Sequence, residues 1–156
     1  MAIKTNAMRM LDKAGLEYKV HCYADTDAVG GTDVAKALRE QPERVFKTLV
    51  TKGRSGNIFI FMIPVAEELD LKKAAAAVGE KSVEMLRQKD LFKTTGYIHG
   101  GCSPIGMKKK FTTTAHITAK DFDTIFFSAG KVGWQIETSF ENMDRIVPCG
   151  LADIIV

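Results

Sequence analysis

The 156-residue sequence predicts a mixed α/β (α+β) domain: a curled, barrel-like β-sheet with helices packed outside. Three observations predict it. Strands and helices alternate irregularly, with hairpin-type links in the middle, whereas a doubly wound parallel sheet shows regular strand–helix pairs. Two segments, Val45–Val50 and Ile58–Ile63, are apolar on both faces, as strands inside a sheet are and rim strands are not. The composition, 46% hydrophobic and 26% charged, excludes disordered, collagen-like and coiled-coil classes. A chain of this length buries enough surface to need no disulfide or metal, and no repeat divides it, so one domain spans 1–156.

The elements follow in order. Ile3, Ala7, Met10, Leu11 and Ala14 recur at helical spacing, and Gly15 can stop that helix. Glu17–Tyr23 reads as a strand with the alternating set Tyr18, Val20 and Cys22. Gly30-Gly31 breaks the chain, and Thr32 or Asp33 can cap a helix through about Arg39. Pro42 precedes the first two-sided strand, and Gly53–Asn57 links it to the second as a hairpin. Asp70 caps a helix over Leu71–Val78 that Gly79 closes. A short helix is expected over Val83–Lys89. Thr94–Gly106 is turn-rich. Strands follow near 114–118, over Thr124–Ser128 and over Val132–Glu137, then a helix over Asn142–Ile146.

Charge and cysteines narrow the function. With 22 Lys+Arg against 19 Asp+Glu the net charge is only +3, so nucleic-acid contact requires a local patch, and DNA packaging is not expected. Cys22, Cys102 and Cys149 are odd in number and far apart, and none stands at metal-ligand spacing from His21, His99 or His116. No disulfide framework, metal or cofactor is expected, and a reducing cytoplasm is the natural compartment. The first residues lack the apolar core of a signal peptide. No apolar run reaches the roughly 18 residues that a membrane span needs.

Lys47 is the most informative residue. It stands mid-strand in VFKTLV on the side of Val45 and Leu49. Its ammonium either reaches solvent from an edge strand or is held in a cleft, and spacing alone leaves both readings open. The stretch TGYIHGGCSPIG (95–106), with four glycines and one proline in 12 residues, cannot hold regular structure. Its backbone N–H groups can approach a phosphate or oxyanion closely, although it is neither a Walker A loop nor a dinucleotide fingerprint. Tyr97 and Ile98 inside it point to packing. Ser128-Ala129-Gly130-Lys131-Val132-Gly133 joins two apolar strands and by itself is a weak motif. Lys108, Lys109 and Lys110 follow the first loop and can meet a phosphate backbone or simply face solvent, while Lys72 and Lys73 fit a helix surface. No nucleophile elbow, HExxH or paired-aspartate motif is present. Cys102 fits best as a small apolar filler.

The segments VFKTLV (45–50), PVAEELDLKKAAAAVGEKSVEM (64–85), TGYIHGGCSPIGMKKK (95–110) and SAGKVGWQIE (128–137) resemble the YbaK/EbsC family. These are bacterial trans-editing enzymes related to the insertion domain of prolyl-tRNA synthetase. The resemblance runs over essentially the whole chain and is nearest to the branch that deacylates Cys-tRNA(Pro). It implies a YbaK-like fold and removal of cysteine from mischarged tRNA(Pro), with the substrate's own thiol attacking its ester to leave as a thiolactone. It implies Lys47 as the essential lysine. It implies substrate contacts from Tyr23, Thr48, Tyr97, Gly100, Gly101, Ser128, Ala129, Gly130 and Gln135. Lys108, Lys109, Lys110 and Lys131 would contact tRNA, and prolyl-tRNA synthetase could join a ternary complex. Two departures stand out: Gln135 where the family often has aspartate, and Phe46 where it often has tyrosine. Alternatives are a sister deacylase that removes alanine or another small residue with water, a non-catalytic tRNA-end or synthetase-binding module, and a small nucleotide binder.

Overall fold

The computed structural model describes residues 4–23 and 31–156; Ile3 and Gly30 lie outside them. Helix α1 (Asn6–Lys13) starts on Thr5, whose Oγ1 accepts the Met8 N–H at 3.3 Å, one of the donors a helix start leaves unpaired. Its buried residues are Ala7, Met8 and Leu11; Ala14 is exposed. Strand β1 (Lys19–Cys22) pairs with β7 (Trp134–Thr138), which pairs on its other side with β6 (Ile125–Ser128), giving a three-stranded antiparallel sheet among the described residues. The alternation in β1 runs opposite to an apolar-inward reading. Val20 and Cys22 are exposed, while Tyr23, just beyond the strand, is buried.

Helix α2 (Gly31–Ala37) takes Thr32 and Asp33 into its first turn rather than before it. A 3-10 turn at Pro42–Arg44 leads to β2 (Phe46–Gly53), and the 53–57 link leads to β3 (Ile58–Pro64). The five-stranded sheet runs β4-β2-β3-β5-β8, so both two-sided strands are interior. One face packs Phe59, Phe61 and Ile63 against Ala74 and Ala75 of α3 (Leu71–Val78). The other carries Val50 and Ile60, packed with Tyr97 and Cys102. Burial on both sides is the reason neither strand alternates. Asp70 caps α3 by accepting the Lys72 and Lys73 N–H groups, both at 3.0 Å.

The helix expected over 83–89 is not formed. Val83–Met85 is strand β4, paired with Thr51–Gly53 of β2. Helix α4 (Gln88–Thr95) begins after it. Three edge residues are too few to show an alternating pattern, and the sheet pairing overrides local preference. Strands β5 (Thr112–His116), β6 and β7 and helix α5 (Phe140–Ile146) fall near their expected places. Strand β8 (Cys149–Ala152), parallel to β5, has no counterpart in the sequence reading. Its residues are only partly buried, so no hydrophobic run marks it.

The result is a mixed α+β fold of two sheets with helices around them. The expected single curled sheet resolves into sheets of three and five strands, which meet at one isolated parallel bridge, Val45–Phe126, among the described residues. The largest core cluster spans that seam, with Phe46 and Met62 from one sheet and Phe127 and Ile136 from the other. No helix among the described residues is long and apolar enough to cross a membrane.

Candidate active site

Lys47 lies on interior strand β2 opposite Ile63 and is half-buried, which rules out the exposed edge-strand reading. Strand alternation puts it on the face of Val45 and Leu49 and turns Thr48 to the opposite face. Lys47 and Ser128 each stand two residues beyond the parallel Val45–Phe126 bridge, one in each sheet. Among the described residues no hydrogen bond or ion pair holds the Lys47 ammonium.

The two glycine loops meet. In the first, the Tyr97 hydroxyl donates to the Ile105 carbonyl at 2.6 Å and the Tyr97 N–H donates to Thr95 Oγ1 at 3.0 Å. Tyr97 is therefore packed as expected, but Ile98 is 57% exposed. In the second, Ser128 Oγ accepts the Gly130 N–H at 3.2 Å, and the Ala129 N–H donates to Trp134 O at 3.0 Å. A Cβ on Gly130 would fall 2.8 Å from Tyr97 Cε1, and one on Gly101 would fall 3.1 Å from the Val132 N. Only glycine lets the loops approach this closely.

Two residues that sequence reasoning missed hold the pair in place. Thr5 Oγ1 donates to the Ala129 carbonyl at 2.5 Å, and Asn6 Nδ2 donates to the Gly106 carbonyl at 2.9 Å. Thr5 is legible as a helix cap; its partner 124 residues away is not.

Gln135 of β7 stands opposite His21 on one side and Ser128 on the other. It is 6% exposed, and among the described residues its Oε1 has no hydrogen-bond partner; neither has the buried Thr48 Oγ1. An orphaned buried acceptor costs about 1–3 kcal/mol, so such atoms mark places that a ligand can satisfy. Tyr23 is buried and its N–H donates to Gly133 O at 2.7 Å, which joins it to the second loop.

The candidate backbone donors are not equivalent. The N–H groups of Gly101, Ala129 and Gly130 are engaged inside the loops, with Gly101 donating to Ile98 O at 3.0 Å. These bonds hold the loops in shape. The Gly100 N–H makes no such bond among the described residues.

The lysine triplet divides. Lys108 Nζ lies 5.2 Å above the Phe92 ring and donates to Lys93 O at 3.4 Å. Lys109 and Lys110 instead line a separate cleft of about 700 Å3 with Met10, Val147 and Cys149. A further cleft of about 840 Å3 lies between α1, β1 and β7. Neither cleft contains Lys47.

Burial pushes the Cys102 thiol up to about 12 against a hydrogen bond with Thr95, and pushes the Cys149 thiol to about 12 as well. Burial, with a smaller contribution from Cys102, raises the Tyr97 hydroxyl to about 12. A thiol at that value is only about one part in ten thousand thiolate at pH 8. A disulfide-exchange reagent at pH 8 is therefore expected to titrate exposed Cys22 quickly and the other two only after denaturation. Rapid modification of Cys102 in the native protein would contradict its inert packing.

An aminoacyl-tRNA editing domain matches residues 25–146. A protein of Enterococcus faecalis, provisionally named a Cys-tRNA(Pro)/Cys-tRNA(Cys) deacylase, EbsC, is 50% identical over 97% of this chain and 93% of its own length. The proline–tRNA ligase of Thermosipho melanesiensis is 29% identical over 48% of this chain, a match that takes in 13% of the ligase. Among solved structures, one provisionally described as a trans-editing enzyme for prolyl-tRNA synthetase superposes with a TM-score of 0.86 at 19% identity, covering 99% of both chains. At that identity it establishes the shared fold. The family model and the Enterococcus relative together show that this chain belongs to the aminoacyl-tRNA editing domain family.

Proposed function

We propose that this protein clears cysteine from Cys-tRNA(Pro) as a trans-editing deacylase. The observation that carries this reading is its 50% identity, across nearly the whole chain, to the Enterococcus relative whose name gives that substrate. Half-buried Lys47 on an interior strand and two glycine loops that touch each other support it.

Cysteine and proline are close in size, and a pocket discriminates one methylene by only roughly 1–3 kcal/mol. A synthetase cannot exclude cysteine well by shape. An editing site can use the thiol that proline lacks. The cysteinyl sulfur attacks its own ester carbonyl, a C–S bond forms and the bond to the ribose oxygen breaks. The proton from the thiol ends on that oxygen. The products are tRNA and a cysteine thiolactone that water later opens. Holding sulfur and carbonyl in attack geometry can contribute about 7–11 kcal/mol. The site must also favour the thiolate over a free thiol of pKa roughly 8.5.

In this scheme the Lys47 ammonium stands beside the ester and terminal ribose and stabilises the developing negative charge. The Gly100 N–H is the available loop donor, while Gly101, Ser128, Ala129 and Gly130 keep the loops in shape. Gln135 Oε1 accepts from the substrate α-ammonium, Tyr23 and Tyr97 form the walls of its site, and Thr48 Oγ1 is an unsatisfied polar atom on the opposite face of β2 from Lys47. Lys108, Lys109, Lys110 and Lys131 meet acceptor-end phosphates, a contact that +3 net charge makes weak and salt-sensitive. Selectivity for tRNA(Pro) then comes from a ternary complex with prolyl-tRNA synthetase in the cytoplasm. The whole chain acts as one domain, its two sheets forming halves of a single curled layer.

The test is deacylation of Cys-, Ala- and Ser-tRNA(Pro) side by side. Cys-tRNA(Pro) is expected to turn over on the order of 100-fold faster than the serine ester, because a hydroxyl is the weaker nucleophile. Equal turnover of both would remove the thiol route. Preference for alanine would identify a water-using relative, and tRNA binding without ester loss a non-catalytic module.

A further inference from the structure

We propose that Glu137 is a positioning residue for this reaction: its carboxylate holds the seam between the two sheets and so fixes Lys47 relative to Gln135 and Ser128. The inference rests on the deacylase reading for its kinetic arm, but its geometric basis is separate. The site is divided, with Lys47 and Thr48 on the five-stranded sheet and Ser128, Gln135 and the second loop on the three-stranded one. Backbone pairing joins the sheets at a single bridge among the described residues.

A polar clasp sits at that bridge. Arg44, three residues before Lys47, donates to Thr124 O through Nε at 3.2 Å and Nη2 at 3.1 Å, and to Thr124 Oγ1 at 2.6 Å. The same hydroxyl donates to Glu137 Oε2 at 2.6 Å. Glu137 Oε1 lies 2.8 Å from His21 Nε2 on β1, two residues before Tyr23. Arg44 Nη2 is 3.7 Å from Glu137, and Glu40 holds its other nitrogen at 3.2 Å. Phe126, the bridging residue, has the Arg44 guanidinium 5.4 Å and the His21 ring 5.1 Å from its ring centroid.

One carboxylate thus gathers β1, the start of β6, β7 and the approach to β2. Burial alone would raise the pKa of Glu137. The hydrogen bonds from Thr124 and His21, with the nearby charge of Lys19, outweigh burial and keep it below the ordinary range, so it is held ionised. Glu137 and Gln135 are two residues apart on β7 and share a face. A carboxylate fixed at one end of that face sets the strand that carries the site residue at the other.

The test compares Glu137→Ala, Glu137→Gln and Thr124→Val, the last of which keeps the carboxylate and removes the relay hydroxyl. Glu137→Ala is expected to lower kcat on Cys-tRNA(Pro) about 10–100-fold, as loss of a supporting partner does at other sites. KM should stay within about 3-fold, since the displaced group acts on the reacting geometry rather than on tRNA binding. Glu137→Gln, which can still accept from Thr124, should recover part of the loss. Independently of activity, backbone amide shifts of Lys47 and Thr48 should move in all three variants, across the seam from the substitution. If Glu137→Ala does not fold, the other two decide. Unchanged kcat with a folded variant, or shifts confined to the three-stranded sheet, overturns the proposal. A wild-type protein inactive on every aminoacyl-tRNA would overturn the deacylase reading instead and leave the amide shifts to decide this one.

Discussion

Replacing Lys47 by alanine is expected to lower deacylation of Cys-tRNA(Pro) by on the order of 100–1000-fold, the cost of removing one preorganised charge-stabilising donor. The protein itself should scarcely notice. Lys47 is half-buried and has no ion pair or hydrogen bond among the described residues, so no buried partner is left uncompensated. Its neighbours on the same face, Val45 and Leu49, continue to pack without it. The thermal midpoint should therefore stay within a few degrees of wild type, as for substitutions that break no packed or paired feature. Lys47→Arg retains the charge but changes its shape and reach, and an intermediate rate is expected. Release of tRNA under single-turnover conditions, alongside thermal unfolding, measures both effects. Full activity in Lys47→Ala would remove this residue from the chemistry, and equal loss of activity and stability would reduce it to a structural role.

That residue was legible because its chemistry clashes with its surroundings. A lysine inside a run of apolar residues needs an explanation, and the two-sided strand made an interior position the natural one. The loops were legible for the related reason that four glycines in TGYIHGGCSPIG cannot serve a helix or strand. Sequence could not say that these loops touch. The Gly130–Tyr97 approach and the Thr5 bond to Ala129 join residues far apart in the chain, and nothing local signals them. Strand β4 was misread for the same reason, since Val83–Met85 is a strand only because Thr51–Gly53 offers it an edge. The alternating set of β1 does not mark a buried face, since Val20 is exposed and the buried neighbour is Tyr23. Local pattern thus located the elements and the unusual residues. Long-range contact decided which of them meet.

Gly130→Ala should force the two loops apart. Two costs combine there. Gly130 has φ +98, a region that costs a side chain of order 1–3 kcal/mol. Its new Cβ would also lie 2.8 Å from Tyr97 Cε1, and Tyr97 cannot yield freely because its hydroxyl is bonded to Ile105 O at 2.6 Å. Relief requires moving one loop away from the other, at about 1–3 kcal/mol for overpacking. Gly56→Ala separates the two contributions. Gly56 has a matching φ of +93 and nothing within 4 Å of its Cβ position, so it suffers the backbone strain alone. Urea unfolding should therefore place Gly130→Ala below Gly56→Ala by the steric share. Activity divides the pair more sharply. A displacement of about 1 Å at a reacting centre can cost on the order of 100-fold, so Gly130→Ala should lose most deacylation while Gly56→Ala keeps it. If the two variants are equally stable and equally active, the contact between the loops plays no part in either fold or function.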